Sequence, residues 1–220
     1  LIDISGATVG AIPAKTYNGS SQKPAPTVTY DDETLKSGTD YSVSYKNNLY
    51  AGTATVTITG KGKFGGTKTG TFTIKKAEQS ITIKASPTSI AVGKTATVSI
   101  SGAKGTKYYK WMKEETDTGS ATVDSSTGKV TATKVGIVTI KATSKATDNF
   151  NAASKKVRIK IVPAATSSIS AVNLATGIRL TWKKVTGATG YLVYRDDTKI
   201  ATIKSGGTVT YTDAKANTNG

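Results

Sequence analysis

The sequence predicts an all-β chain made of several small sandwich modules in series, and three observations predict it. Thr, Ser, Gly, Ala, Lys and Val dominate, while Met occurs once and Leu is scarce. Apolar residues fall at every second position of short runs, the period of a half-buried strand. Hydrophobic residues make up 36% of the 220 positions and aromatic residues 7%, which suits several slim cores better than one continuous core.

The first segment, residues 1–76, carries Pro13, Pro24 and Pro26 and then a dense series of strand patterns. Tyr41-Ser42-Val43-Ser44-Tyr45 alternates, Lys46-Asn47-Asn48 breaks it, and Thr53-Ala54-Thr55-Val56-Thr57-Ile58 alternates again after Gly52. Such a pair reads as antiparallel strands joined by a loop. Gly60, Gly62, Gly65 and Gly66 punctuate a turn before Thr71-Phe72-Thr73-Ile74 closes the segment.

The second segment, residues 77–163, restarts the pattern at Ile81-Thr82-Ile83. It continues through Ser89-Ile90-Ala91-Val92 and Thr95-Ala96-Thr97-Val98-Ser99-Ile100 to a stretch with Trp111. Ala121-Thr122-Val123, the turn Asp124-Ser125-Ser126-Thr127-Gly128, Val130-Thr131-Ala132 and Gly136-Ile137-Val138-Thr139-Ile140-Lys141-Ala142 follow. In the third segment, residues 164–220, a short linker of small polar residues precedes Ile178-Arg179-Leu180-Thr181-Trp182. Tyr191-Leu192-Val193-Tyr194-Arg195, a pair around Lys199–Ile203, and Val209-Thr210-Tyr211-Thr212-Asp213 complete it.

These runs carry three resemblances. Tyr17-Asn18-Gly19, Leu35–Tyr41, Asn47-Asn48 and Ala51–Val56 together resemble a repeat common in surface proteins of Gram-positive gut bacteria. The Trp strand followed by an Ala-Thr-Val strand and a Gly-punctuated return resembles the bacterial immunoglobulin-like group 2 family (Big2) as far as Val162. It departs at Lys113-Glu114-Glu115-Thr116-Asp117, where that family shows a short Ser/Asn turn. Trp182, Gly190-Tyr191-Leu192-Val193-Tyr194 and Tyr211-Thr212-Asp213 resemble fibronectin type III.

The resemblances imply tandem immunoglobulin-like β-sandwich modules, the C-terminal one incomplete. The last two strands of a fibronectin type III domain have no counterpart after Asp213, so the parent is expected to continue past Asn219-Gly220 or to have been trimmed there. They also imply an extracellular, cell-surface setting with anchor and signal outside the fragment.

Function is bounded first by what is missing. His and Cys are both absent, which removes His general bases, Cys or Ser/His nucleophilic dyads, and His/Cys metal sets. The acidic clusters Asp31-Asp32-Glu33, Glu114-Glu115 with Asp117, and Asp196-Asp197 lie between strand patterns and read as solvated turns. None has the spacing of a calcium loop. No catalytic residue, cofactor or metal site is expected, and the chain is not expected to be an enzyme.

The net charge of +16 favours polyanionic partners. Alternation such as Lys156-Val157-Arg158-Ile159-Lys160-Ile161 also describes an ordinary solvated sheet face, and both readings stand at this level. No basic helix, zinc spacing or aromatic platform accompanies the lysines, so nucleic acid is not expected. No run reaches the roughly 20 apolar residues of a membrane span.

Ligand-contact candidates are Lys61, Lys63 and an exposed Phe64 in the Gly-rich loop, together with Tyr108, Tyr109 and Tyr194. Alternation puts one member of each adjacent pair, including Leu192 beside Val193, on an outer face. Trp111 and Trp182 are expected in the core. The expected role is a monomeric stalk or adhesion region meeting an anionic cell-wall or host glycan, or a host or matrix protein. The alternative is a set of accessory modules of a cell-wall or carbohydrate-active enzyme, holding anionic polysaccharide through Lys-rich faces.

Overall fold

In a computed structural model, residues 1–216 are described, and they are all-β in two compact units. Asn219 and Gly220, where the expectation of a continuing or trimmed chain falls, lie outside the described residues.

The first unit comprises Leu1–Ile81 with the loops Gly102–Thr106 and Ser144–Ala153. Its main sheet has four strands, in the order Lys15–Thr16, Thr67–Lys75, Gly52–Gly60 and Tyr41–Lys46. The two alternating runs pair antiparallel as their pattern requires, Val43 opposite Ile58 and Tyr45 opposite Val56. A three-stranded sheet of Thr8–Val9, Val28–Tyr30 and Glu33–Thr34 supplies further core residues. Ile4, Val28, Leu35, Tyr41, Val56, Ile58 and Phe64 form one buried cluster, and Ala54, Phe72 and Ile74 another.

Phe64 corrects the sequence reading. The Gly-rich loop was expected to expose it, yet it is 3% exposed. Ile2–Asp3 pairs parallel with Phe64–Gly65, and Tyr30 meets the Phe64 ring edge-on at 5.6 Å. A pairing between positions some sixty residues apart leaves no local trace, so alternation within the loop cannot reveal it.

Gln79, 7% exposed, ties the loops to the rest of this unit. Its amide nitrogen donates to the carbonyls of Lys145 and Asn151 at 3.0 and 2.6 Å, and its Oε1 accepts from the Lys104 amide at 2.7 Å and from Ser144 Oγ. All four bonds reach groups distant in sequence, so one side chain satisfies three backbone groups and a hydroxyl across both loops. Beside it Phe150 packs edge-on against Tyr17 at 5.4 Å, and the Asn149 side chain accepts from the Ala51 amide at 2.9 Å.

The second unit comprises Thr82–Ser101, Lys107–Thr143 and 154 onward. Its sandwich has two four-stranded sheets. One runs in the order Thr82–Ser86, Thr95–Ser101, Lys129–Lys134 and Ser120–Val123; the other runs Ser89–Ala91, Ala153–Val162, Gly136–Ser144 and Lys107–Trp111. Ala96, Val98 and Ile100 of the first sheet and Val138, Ile140, Ile159 and Ile161 of the second are all at most 4% exposed. Each Ile or Val so buried contributes about 1.5–3 kcal/mol, which is why period-2 alternation decides these strands. Gly128 follows the Asp124 turn at φ +73°, where a Cβ would lie 2.2 Å from the Val98 carbonyl oxygen, so only glycine fits.

Further along this unit, Ser170–Leu174, Gly177–Thr181 and Thr210–Asp213 form a three-stranded sheet, and Tyr191–Arg195 pairs antiparallel with Thr198–Ile203. Trp182 is 8% exposed and meets Tyr191 edge-on at 5.2 Å.

Candidate ligand-binding face

Alternation along Lys107–Trp111 sends Tyr109 into the core, at 4% exposed, and leaves Tyr108 outside at 42%. That corrects Tyr109 as a contact candidate, because its ring is spent on packing. Lys110 points to the same side as Tyr108. On Gly136–Ser144, Val138, Ile140 and Ala142 are buried, so Lys141 takes the outer side. On Ala153–Val162, Ile159 and Ile161 are buried, while Lys156, Arg158 and Lys160 are exposed.

The sheet order places these three strands side by side. Lys110, Lys141, Lys156, Arg158 and Lys160 therefore share one outer face with the exposed Tyr108. Neighbouring strands lie roughly 4.8 Å apart and alternate residues roughly 6.6 Å apart along a strand, so the cations are close enough for their fields to add within a Debye length. The one ion pair formed by these five side chains among the described residues joins Lys156 Nζ to Glu114 at 2.6 Å. The opposite sheet differs: its outer positions are mainly Thr and Ser, including Thr95, Thr97, Ser99, Thr122 and Thr131, with Lys84 and Lys129 among them.

The rim of the basic face is held by the loop 113–117. Met112 N–H donates to the Thr139 carbonyl at 2.9 Å, and where the edge strand turns away, Asp117 takes over. Its carboxylate accepts from the Thr139 amide and from Thr139 Oγ1, each at 2.8 Å, and from the Glu114 amide at 3.4 Å. Asp117 is 8% exposed, which corrects the reading of this cluster as a solvated turn. Burial alone raises its pKa, but the bonds from the Thr139 hydroxyl and amide and from the Glu114 amide outweigh burial and hold the carboxyl below its usual value.

The other acidic clusters are turn residues. Asp31-Asp32 and Asp196-Asp197 occupy the two central positions of two-residue hairpins, with φ of 47° and 64° and of 46° and 63°. Positive φ at both positions defines the type I′ turn that Asp tolerates. Asp124 accepts from the Ser126 amide and hydroxyl and the Thr127 amide, which together depress its pKa strongly.

The remaining sequence candidates are dispersed. Lys61 and Lys63 are exposed in the first unit; Lys61 Nζ donates to the Gly38 carbonyl, and Lys63 Nζ lies 5.3 Å from the Phe64 ring centroid. Tyr194 is 54% exposed beside an apolar groove of the second unit. Trp111 is only partly buried, in contrast to the core position expected. The sequence points to Tyr108 but not to Lys110, Lys141, Lys156, Arg158 or Lys160 as residues on the same face. Their alternation was visible, whereas the strand order that gathers them was not.

No protein-family model and no curated protein matches the chain. Among solved structures it is similar to a SusE-like surface-located polysaccharide-binding protein from the Bacteroides thetaiotaomicron heparin utilisation locus, at 12% identity and TM-score 0.30 over 75% of this chain. The chain covers 36% of that protein's length. It is similar to Drosophila N-cadherin EC1-3 at 10% identity and TM-score 0.32, covering 71% of this chain and 67% of the other. The third is surface layer protein SbsC, domains 1-6, at 20% identity and TM-score 0.27, covering 83% and 28%. The fold assignment rests on the chain's own strands and sheet order: these are immunoglobulin-like β-sandwich modules in tandem.

Proposed function

We propose that this chain is a non-catalytic extracellular region of a bacterial surface protein, with modules at 1–76, 77–163 and 164–220, and that it attaches to an anionic cell-wall or host glycan. The observation that carries the reading is the placement of Lys110, Lys141, Lys156, Arg158 and Lys160 on one sheet face, which also carries exposed Tyr108 on its edge strand. Clustered cations on a flat sheet face raise the local concentration of a polyanion, and an exposed ring beside them offers a flat surface for an apolar sugar face. The lack of His and Cys leaves no imidazole base, thiolate nucleophile or His/Cys metal set in the chain.

The test is binding of the purified chain to polygalacturonate and lipoteichoic acid, with neutral dextran as control, across a salt series. Attachment through this face gives binding to the polyanions that falls with salt. By analogy with single-stranded polyelectrolytes, five cations correspond to a log-log slope of about −3.5. Absence of binding to either polyanion at low salt removes glycan attachment and leaves only a stalk. The same face also suits an accessory module of a carbohydrate-active enzyme, a case separated by reading the coding sequence on either side.

A further inference from the structure

Three of the five cations on the basic face stand in one line. Lys156, Arg158 and Lys160 occupy successive outward positions of the strand Ala153–Val162, while Ile159 and Ile161 of the same strand are buried. Alternate residues of a strand lie roughly 6.6 Å apart, so the three charges form a straight column with a fixed repeat. Lys141 is on the neighbouring strand, and Lys110 is one strand further out.

The column's donors are largely unspent. Arg158 and Lys160 make no ion pair and no side-chain hydrogen bond among the described residues, and Lys156 alone is engaged, by Glu114. On one flank Ser89, exposed, stands in register with Lys160, and Ala91 follows it. On the other flank the outward positions include Thr139, Lys141 and Thr143. Neither flank presents an aromatic ring beside the column, since Tyr108 lies on the edge strand, two strands away.

The repeat and the flanks together select the polymer. An extended chain covers about 3.5 Å per three backbone bonds. The six bonds joining successive phosphorus atoms of a glycerol phosphate polymer therefore cover about 7 Å, close to the repeat of the column. Rotation about those single bonds lets every phosphate turn to the same side. A polyuronate instead holds its carboxylates on rigid rings that turn about the chain axis from one ring to the next. Single-stranded nucleic acid shares the six-bond repeat, but its binding rests on aromatic side chains stacked under the bases, and the column has none beside it.

We propose that the column of Lys156, Arg158 and Lys160 takes a linear poly(polyol phosphate), laid along the strand with one phosphate to each cation. This rests on the attachment to an anionic polymer proposed above and names the class of that polymer. Each cation gives charge-assisted hydrogen bonds to its phosphate, and the Ser89 hydroxyl is placed to donate to the phosphate at Lys160.

The experiment titrates the full chain with lipid-free poly(glycerol phosphate), polygalacturonate and single-stranded oligothymidylate of matched charge number, at one low salt concentration. Poly(glycerol phosphate) is expected to bind at least fivefold more tightly than either of the others and to shift the amide resonances of 156–160. Arg158→Gln leaves Lys156 and Lys160 roughly 13 Å apart, whereas Lys160→Gln removes the same charge and keeps an adjacent pair. Arg158→Gln is therefore expected to weaken poly(glycerol phosphate) binding at least threefold more than Lys160→Gln does. Arg158→Lys is expected to stay within twofold of the unsubstituted chain. Equal losses from Arg158→Gln and Lys160→Gln, or an Arg158→Lys chain as weak as Arg158→Gln, overturn the column. Polygalacturonate or oligothymidylate binding as tightly as poly(glycerol phosphate) overturns the choice of polymer and leaves polyanion attachment standing. Binding of none of the three overturns both the attachment and the column.

Discussion

The Asp117 carboxylate takes both the main-chain N–H and the hydroxyl of Thr139, each at 2.8 Å, and so stands in for the backbone of an edge strand that has turned away. The bond pair closes the end of the sheet that carries the basic face.

Asp117→Ala leaves two buried donors of Thr139 unpaired and is expected to lower stability by about 1–3 kcal/mol, read by denaturant unfolding. Asp117→Asn keeps one acceptor and is expected to lose less. Because the folded pKa of Asp117 is lowered from 3.8, its contribution is fully present above that value and fades as pH falls through the lower folded one. In acid the wild type and the Asn variant are therefore expected to converge, while a constant difference down to acid pH refutes the assignment.

Tyr108 and Tyr109 are neighbours with opposite fates. Tyr109→Ala empties a core position and is expected to cost about 3–5 kcal/mol, in the range of large aromatic truncations. Tyr108→Ala is expected to stay within about 0.5 kcal/mol and to act on glycan binding instead. Thermal unfolding of the two variants separates them.

Charge reversal on the basic face, as Lys110→Glu with Arg158→Glu, is expected to abolish most polyanion binding and to flatten its salt dependence without changing the unfolding midpoint appreciably. The same double change at Lys84 and Lys129, on the Thr/Ser face, is the control. Equal losses from both pairs show that net charge, rather than this face, governs attachment.

Gln79→Ala removes the partners of two carbonyls, one amide and one hydroxyl around the loops Gly102–Thr106 and Ser144–Ala153. A loss of about 1–3 kcal/mol is expected, with faster amide exchange at Lys104 as its local signature. Gln79→Glu keeps the acceptor but faces the Lys145 and Asn151 carbonyls with an oxygen, so it is expected to rescue little.

Much of the architecture was legible because a β-strand buries every second residue. Tyr41–Tyr45, Thr53–Ile58, Thr95–Ile100 and Lys156–Ile161 all lie in strands whose burial follows their alternation. The short strands Ile2–Asp3, Thr8–Val9, Lys15–Thr16 and Glu33–Thr34 were not legible, since two residues carry no period. The site is legible only in part: alternation points outward at Tyr108, but it does not tell that Phe64 and Tyr109 are buried.

The sequence by itself determined the strand type, the inward and outward sides of each long strand, the basic balance and the absence of His and Cys, because each depends on residues near one another in the chain or on composition alone. Only the tertiary structure decided that Phe64 joins a core through Ile2–Asp3, that Asp117 is a buried acceptor, and that Tyr108 shares a sheet face with five cations. Those outcomes depend on which strands lie side by side, and strand order is set by pairings between residues far apart in sequence, where alternation is silent.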